Sequence, residues 1–187
     1  MAFRKHRVIT LKRLNSALDD VRTELDRFGL WNARLADIDV YLTWFGGAYG
    51  YQFYKTTSQI EIPAVSLSRL WELLACGMPT SLRDILRHEY GHAVADTNRG
   101  LMRSRQFREA FGTHHDSESR SMYSPEMHVS DYAAKAAYED FAEVFMYYLK
   151  HSGKLPRRLT TPPIRTKWNF VRRLACRIQD EKRSWAA

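Results

Sequence analysis

Cysteine is almost absent from these 187 residues: Cys76 and Cys176 stand a hundred positions apart. That separation offers neither metal-ligand spacing nor a disulfide framework, so two reduced thiols in a cytoplasmic protein are expected. No apolar run approaches the roughly 18 residues that a membrane helix needs, which predicts a chain without a membrane span. The basic start "MAFRKHRVIT" is followed by no apolar h-region and no small-residue cleavage site. No signal peptide is therefore expected, and export would need a non-classical route. Internal repeats and low-complexity segments are missing as well.

What is present suits one globular domain: 44% of residues are hydrophobic and 27% charged, in a length that buries one real core. The formal charge of +8 is unevenly placed, because ten Lys/Arg against Asp180 and Glu181 fall after Gly153, leaving 19 of each sign before it. A basic segment over 154–187 on a neutral body suggests an acidic partner or nucleic acid; the same charges equally describe a solvated helix face. The expected organisation is a single domain over 1–187. An N-terminal helix occupies 1–30, a core 31–153, and a basic helical segment 154–187.

Leu11, Leu14, Leu18, Val21, Leu25 and Phe28 recur at steps of three and four, the signature of an amphipathic helix, and Gly29 offers a stop. The stretch "IDVYLTWFGGAYGYQFYKTTSQIEIPAV" is rich in β-branched and aromatic residues and predicts antiparallel strands near 38–45, 50–55 and 59–64. Pro63 cannot donate a ladder hydrogen bond, so the last of these is expected to be an edge strand or the end of one. A short helix is expected at "LSRLWELLACGM". "TSLRD" forms a capping box with Ser81 as N-cap, opening a helix that ends near Asn98–Gly100. A possible helix at "RQFREAF", another over roughly 132–151 and a closing one at "KWNFVRRLACRIQDEK" complete an α+β pattern.

Within the capped helix lies "HEYGH". Residues i and i+4 stand about 40° apart around a helix axis and about 6 Å along it, so His88 and His92 can converge on one tetrahedral Zn²⁺. Glu89, beside the first, would take a proton from water there. The pattern alone is a weak signal. A third ligand six residues past His92 is ruled out, since Asn98 stands there and Ala95 replaces the glycine such a site carries. Downstream, "YEDFAEVFMYYL" places Glu139 and Glu143 at i,i+4 on an otherwise apolar helix. Burying both is costly unless a cation receives them. One can coordinate; the other can accept the outward N–H of a ligating histidine. Tyr132, seven residues before Glu139, could donate to an oxyanion.

Together, "HEYGHAVADTNRG" and "YAAKAAYEDFAEVF" resemble the gluzincin zinc metallopeptidases, above all the catalytic domain of anthrax lethal factor and small bacterial zinc metallopeptidases related to it. The resemblance covers Arg87 to Phe145. It implies a zincin-like fold, with an edge strand above the active-site helix and a glutamate helix downstream. It also implies Zn²⁺ held by His88, His92 and Glu139, with Glu89 as general base, Glu143 accepting from a ligating histidine, and Tyr132 as oxyanion donor. Hydrolysis of a peptide or protein substrate follows from it; a monomer is expected. The segment between His92 and Glu139 is longer than in thermolysin-like members, and their large C-terminal helical domain has no room here, so substrate preference does not carry over.

Alternatives stand beside each assignment. Glu143 could be the ligand in place of Glu139, His114 or His115 the third ligand, and Tyr123 the phenol. The site could be a structural zinc site, or a latent one plugged by the N-terminal helix or the C-terminal segment. The strand "SQIEIPAV", through Ile60, Glu61 and Ile62, is the expected edge for an extended substrate. The aromatics Trp44, Phe45, Tyr49 and Tyr51 are expected as core rather than subsite.

Overall fold

The computed structural model describes residues 8–47, 49–54, 57–67 and 80–186. Helix α1 (Leu11–Arg27) starts where the Thr10 side chain accepts from the Arg13 amide, and it buries Leu14, Ala17, Val21 and Leu25, the inward stripe of an amphipathic helix. Gly29 ends it at φ 66°, a left-handed turn that an L side chain adopts only with strain, and a Cβ there would also meet Gln179. A one-turn helix α2 (Ala33–Ala36) follows, capped by Asn32.

Three strands come next: β1 (Asp39–Gly46), β2 (Gly50–Tyr54) and β3 (Thr57–Ser66). Their spatial order is β1-β3-β2, with β1 parallel and β2 antiparallel to β3. Two expectations are corrected here. The sheet is mixed rather than antiparallel, and Ile60, Glu61 and Ile62 lie on the central strand, not on an edge. Burial explains the position: Ile60 and Ile62 are fully covered, as suits a strand paired on both sides. Pro63 misled because β3 outlasts β2. Pairing to β2 stops at Glu61, so the missing N–H of Pro63 costs that pair nothing. The edge strands are β1 and β2.

Helix α3 (Leu82–Thr97) opens at Ser81, whose hydroxyl accepts from the Asp84 amide. Short helices α4 (Arg99–Met102) and α5 (Arg105–Phe111) follow, the latter ended by Gly112 at φ 80°. The helix expected over 132–151 is divided. Tyr132–Lys135 form a 3-10 turn, Ala136 is fully extended, and α6 runs Ala137–Lys150. After a second 3-10 turn at Arg157–Leu159, α7 (Pro162–Ala186) closes the chain. It begins before the expected Lys167 because Pro162 fits the first helical position and Thr161 accepts from the Ile164 amide. The expected helix at "LSRLWELLACGM" falls largely on 68–79, outside the described residues, as does Cys76.

The architecture is α+β. α7 buries Ile164, Trp168, Phe170, Val171, Leu174 and Ile178, so the basic segment is built into the core and is not an appended tail. Among the described residues, no helix is long and apolar enough to cross a membrane.

Candidate metal centre

The site is made where α3 crosses α6, and Gly91 sets how closely they cross. A Cβ at Gly91 would stand 3.1 Å from the Ala142 Cα, a backbone contact with little room to give. The absent side chain lets two rows of chemistry-bearing groups meet along an antiparallel seam. Asp84 Oδ2 accepts from Lys150 at 2.7 Å, His88 Nδ1 stands 2.8 Å from Glu143 Oε1, and His92 Nε2 stands 3.3 Å from Glu139 Oε2.

His88 Nε2 lies 3.0 Å from the same Glu139 oxygen and 3.1 Å from His92 Nε2. Two imidazole nitrogens and one carboxylate oxygen thus form a triangle with edges of 3.0, 3.1 and 3.3 Å. Ligands about 2.0–2.1 Å from a tetrahedral Zn²⁺ stand about 3.3 Å from one another, so donor set and spacing both fit that ion. Among the described residues, this is the group of His, Cys, Asp or Glu that could hold a metal.

The surroundings hold these groups still. Glu143 can only accept, so His88 donates from Nδ1 and turns Nε2 to the triangle. The other Glu143 oxygen accepts from Ser130 Oγ at 2.5 Å. Tyr132 donates from its phenol to Glu139 Oε1 at 3.3 Å, reaching it from the 3-10 turn rather than from a shared helix. Glu89, one residue past His88, accepts from the Tyr51 amide of edge strand β2 at 2.7 Å. The Tyr51 phenol donates to Asp96 Oδ2 (3.1 Å) and meets Ser58 Oγ (3.0 Å), fastening β2 along α3.

A cleft of about 600 Å³ opens here, lined by His88, Glu89, His92, Tyr132 and Glu139 at one wall and by Tyr49, Tyr51, Met102, His115 and Tyr138 at the others. Tyr49 and Tyr51, expected as core, therefore face it. Among the described residues, neither α1 nor α7 lines this cleft.

The close carboxylate–imidazole contacts shift the titration of both partners. Burial on its own would lower the His88 imidazole, but hydrogen bonds to the Glu139 and Glu143 carboxylates overcome it and push it up to about 10. Burial on its own would raise Glu139, yet its contacts with His88 and His92 bring it down to about 2. The Tyr132 phenol is raised, first by burial and then by Glu139 and Glu89, so it is a firmly protonated donor.

The chain matches no family model, no curated protein and no solved structure. Chemistry must therefore be read from the residues. His88, Glu89, His92, Tyr132, Glu139 and Glu143 come together. His114 is exposed in its loop. His115 lines the cleft with its Nδ1 3.2 Å from Asp116, apart from the triangle. Tyr123 lies against His128, with ring centroids 6.3 Å apart, and does not line the cleft. Sequence reasoning missed Ser130 and Tyr51. Ser130 follows no spacing rule, and Tyr51 acts through a main-chain amide that every residue but proline carries.

Proposed function

We propose that this chain is a zincin-like, gluzincin-type metallopeptidase that hydrolyses peptide bonds. The observation that carries the reading is the convergence of His88 Nε2, His92 Nε2 and Glu139 Oε2 on a cleft wall that Glu89 and Tyr132 share. Structural zinc sites close with four protein ligands, whereas catalytic ones use three and keep an open position. Three ligand atoms beside a cleft match the second pattern.

His88, His92 and Glu139 would hold Zn²⁺, which when bound supplies Lewis acidity and acidifies water. Glu89 takes the proton of the attacking water and returns it to the leaving amine. The Tyr51 amide, bonded to Glu89 Oε2, aims that carboxylate. Tyr132 donates to the carbonyl oxygen as negative charge develops on it, exchanging its bond to Glu139 for one to substrate. β2 is the edge beside which an extended peptide would lie.

The test is cleavage of a diverse peptide library by zinc-loaded protein, read by mass spectrometry beside Glu89→Ala. Cuts made by the native chain and reduced at least a hundredfold in the variant, with zinc retained, are the expected result. Equal cutting by both removes Glu89 as base; no cutting by either removes the peptidase reading.

A second reading, binding of nucleic acid or another acidic partner, rests on exposed Arg165, Arg172 and Arg173 along the outer face of α7. Lys167 is not part of it, being buried against Asp140 at 2.6 Å. Salt-dependent retention on DNA, lost when those three arginines become glutamates, would favour it.

A further inference from the structure

We infer that Ser130 is a positioning residue that locks the turn carrying Tyr132 to the carboxylate that orients the ligand His88, so that one hydroxyl sets both the metal ligand and the oxyanion donor. The inference rests on the metal-site reading above and deepens it.

The hydroxyl is used twice. It donates to Glu143 Oε2 at 2.5 Å, while Glu143 Oε1 stands 2.8 Å from His88 Nδ1. A continuous path therefore runs from Ser130 through Glu143 to the imidazole. The same oxygen accepts from the Ala133 amide at 3.2 Å, which sets the first bend of the 3-10 turn Tyr132–Lys135. Tyr132 meets Glu139 at 3.3 Å from this turn. Because Ala136 is extended, no continuous helix connects Tyr132 rigidly to Glu139, and the Ser130 bridge supplies the missing connection.

Holding the loop in place does not depend on Ser130. The Ser121 amide donates to the Ala134 carbonyl at 2.9 Å, Lys167 Nζ donates to the Met127 carbonyl at 2.5 Å, and Thr161 Oγ1 donates to the Glu126 carbonyl at 2.6 Å. His128 is held between Ser121 Oγ and the Ser124 amide. With those anchors intact, removing one hydroxyl leaves the segment folded but lets Glu143 and the turn move independently. Outer partners of a metal-binding histidine are worth about 10–100-fold in metal affinity. Ser130, one bond further out, is expected at the lower end of that range.

The experiment measures Zn²⁺ affinity by competition with a chelating dye, and the visible spectrum of the Co²⁺-loaded protein, for the native chain, Ser130→Ala and Ser130→Thr. Melting of each metal-free protein reports folding. The expected result is affinity about tenfold weaker in Ser130→Ala, with a changed Co²⁺ spectrum, a native-like melt, and recovery of both readouts in Ser130→Thr, which keeps the hydroxyl. A loss of melting stability large enough to account for the lost affinity, or the same loss in Ser130→Thr, would assign Ser130 a structural role only and overturn the inference. Native-like affinity and spectrum in Ser130→Ala would overturn it too, while leaving the metal site standing. A native chain that binds neither ion removes the metal-site reading, and this inference with it.

Discussion

The seam between α3 and α6 has two ends built from the same kinds of residue to different purposes. At one end, Arg87 donates from Nε and Nη2 to Glu24 (2.7 and 2.6 Å) and from Nη1 to Asp84 (2.5 Å), and Asp84 is bonded to Lys150 (2.7 Å). Two carboxylates meet two permanent cations, and the cluster is complete. One and two turns further along, Glu143 and Glu139 meet only imidazoles and hydroxyls, with Glu89 beside them. A charge-balanced cluster at a helix junction is explained by structure. Among the described residues, Glu139 and Glu143 instead meet histidines spaced as metal ligands would be, which is the feature the proposed cation site rests on. The buried Asp140–Lys167 pair, one residue from Glu139, repeats the first case.

The largest expected effect tests the balanced end. Arg87→Met leaves Glu24 without its cation and Asp84 with Lys150 alone, and is expected to cost about 3 kcal/mol of stability, read by chemical denaturation of metal-free protein. The zinc affinity of the folded molecule should not change; a parallel loss of affinity would erase the distinction between the two ends. Next, Glu139→Ala is expected to weaken Zn²⁺ binding more than an outer-partner change does, by over about a hundredfold, while the metal-free melt stays close to native. Unchanged zinc stoichiometry and affinity would place the third ligand elsewhere.

Gly91→Ala acts on both ends through their shared spacing. The added Cβ presses on the Ala142 backbone, and about 1–2 kcal/mol of destabilisation is expected, together with weaker zinc binding as His88 and His92 draw back from α6. Loss of stability without loss of affinity would mean that the seam closes around the extra methyl. The smallest effect belongs to Tyr51→Phe. It deletes the phenol bond to Asp96 at a cost of about 1 kcal/mol but keeps the amide bond to Glu89, so zinc affinity should equal that of the native chain in the same dye competition.

Legibility in the sequence followed the range of the interactions involved. The N-cap Ser81, the stripe Leu14–Val21–Leu25 and the HExxH helix could be read because each depends on residues within a turn or two. The three strands were recognisable from composition, but their order was not. A proline within β3 is the usual sign of an edge, but pairing with β2 reaches no further along β3 than Gly50↔Glu61, so Pro63 faces only Thr43 of β1. The 132–151 helix was overextended because alanines at 133, 134, 136 and 137 favour helix, whereas the extended Ala136 redirects the chain.

The sequence by itself determined that His88 and His92 share a helical face, that Glu139 and Glu143 share another, and that no cysteine framework or long apolar run competes with that reading. Helical periodicity acts over four residues and needs no partner to be recognised. Only the tertiary structure decided that Glu139 meets both imidazole Nε2 atoms while Glu143 takes the outer nitrogen of His88. It alone placed β2 rather than β3 beside Glu89, and set Ser130 between Tyr132 and His88. Those contacts join groups 13 to 55 positions apart. They arise from the close approach of two helices at Gly91 and from main-chain atoms whose identity no side-chain pattern reveals.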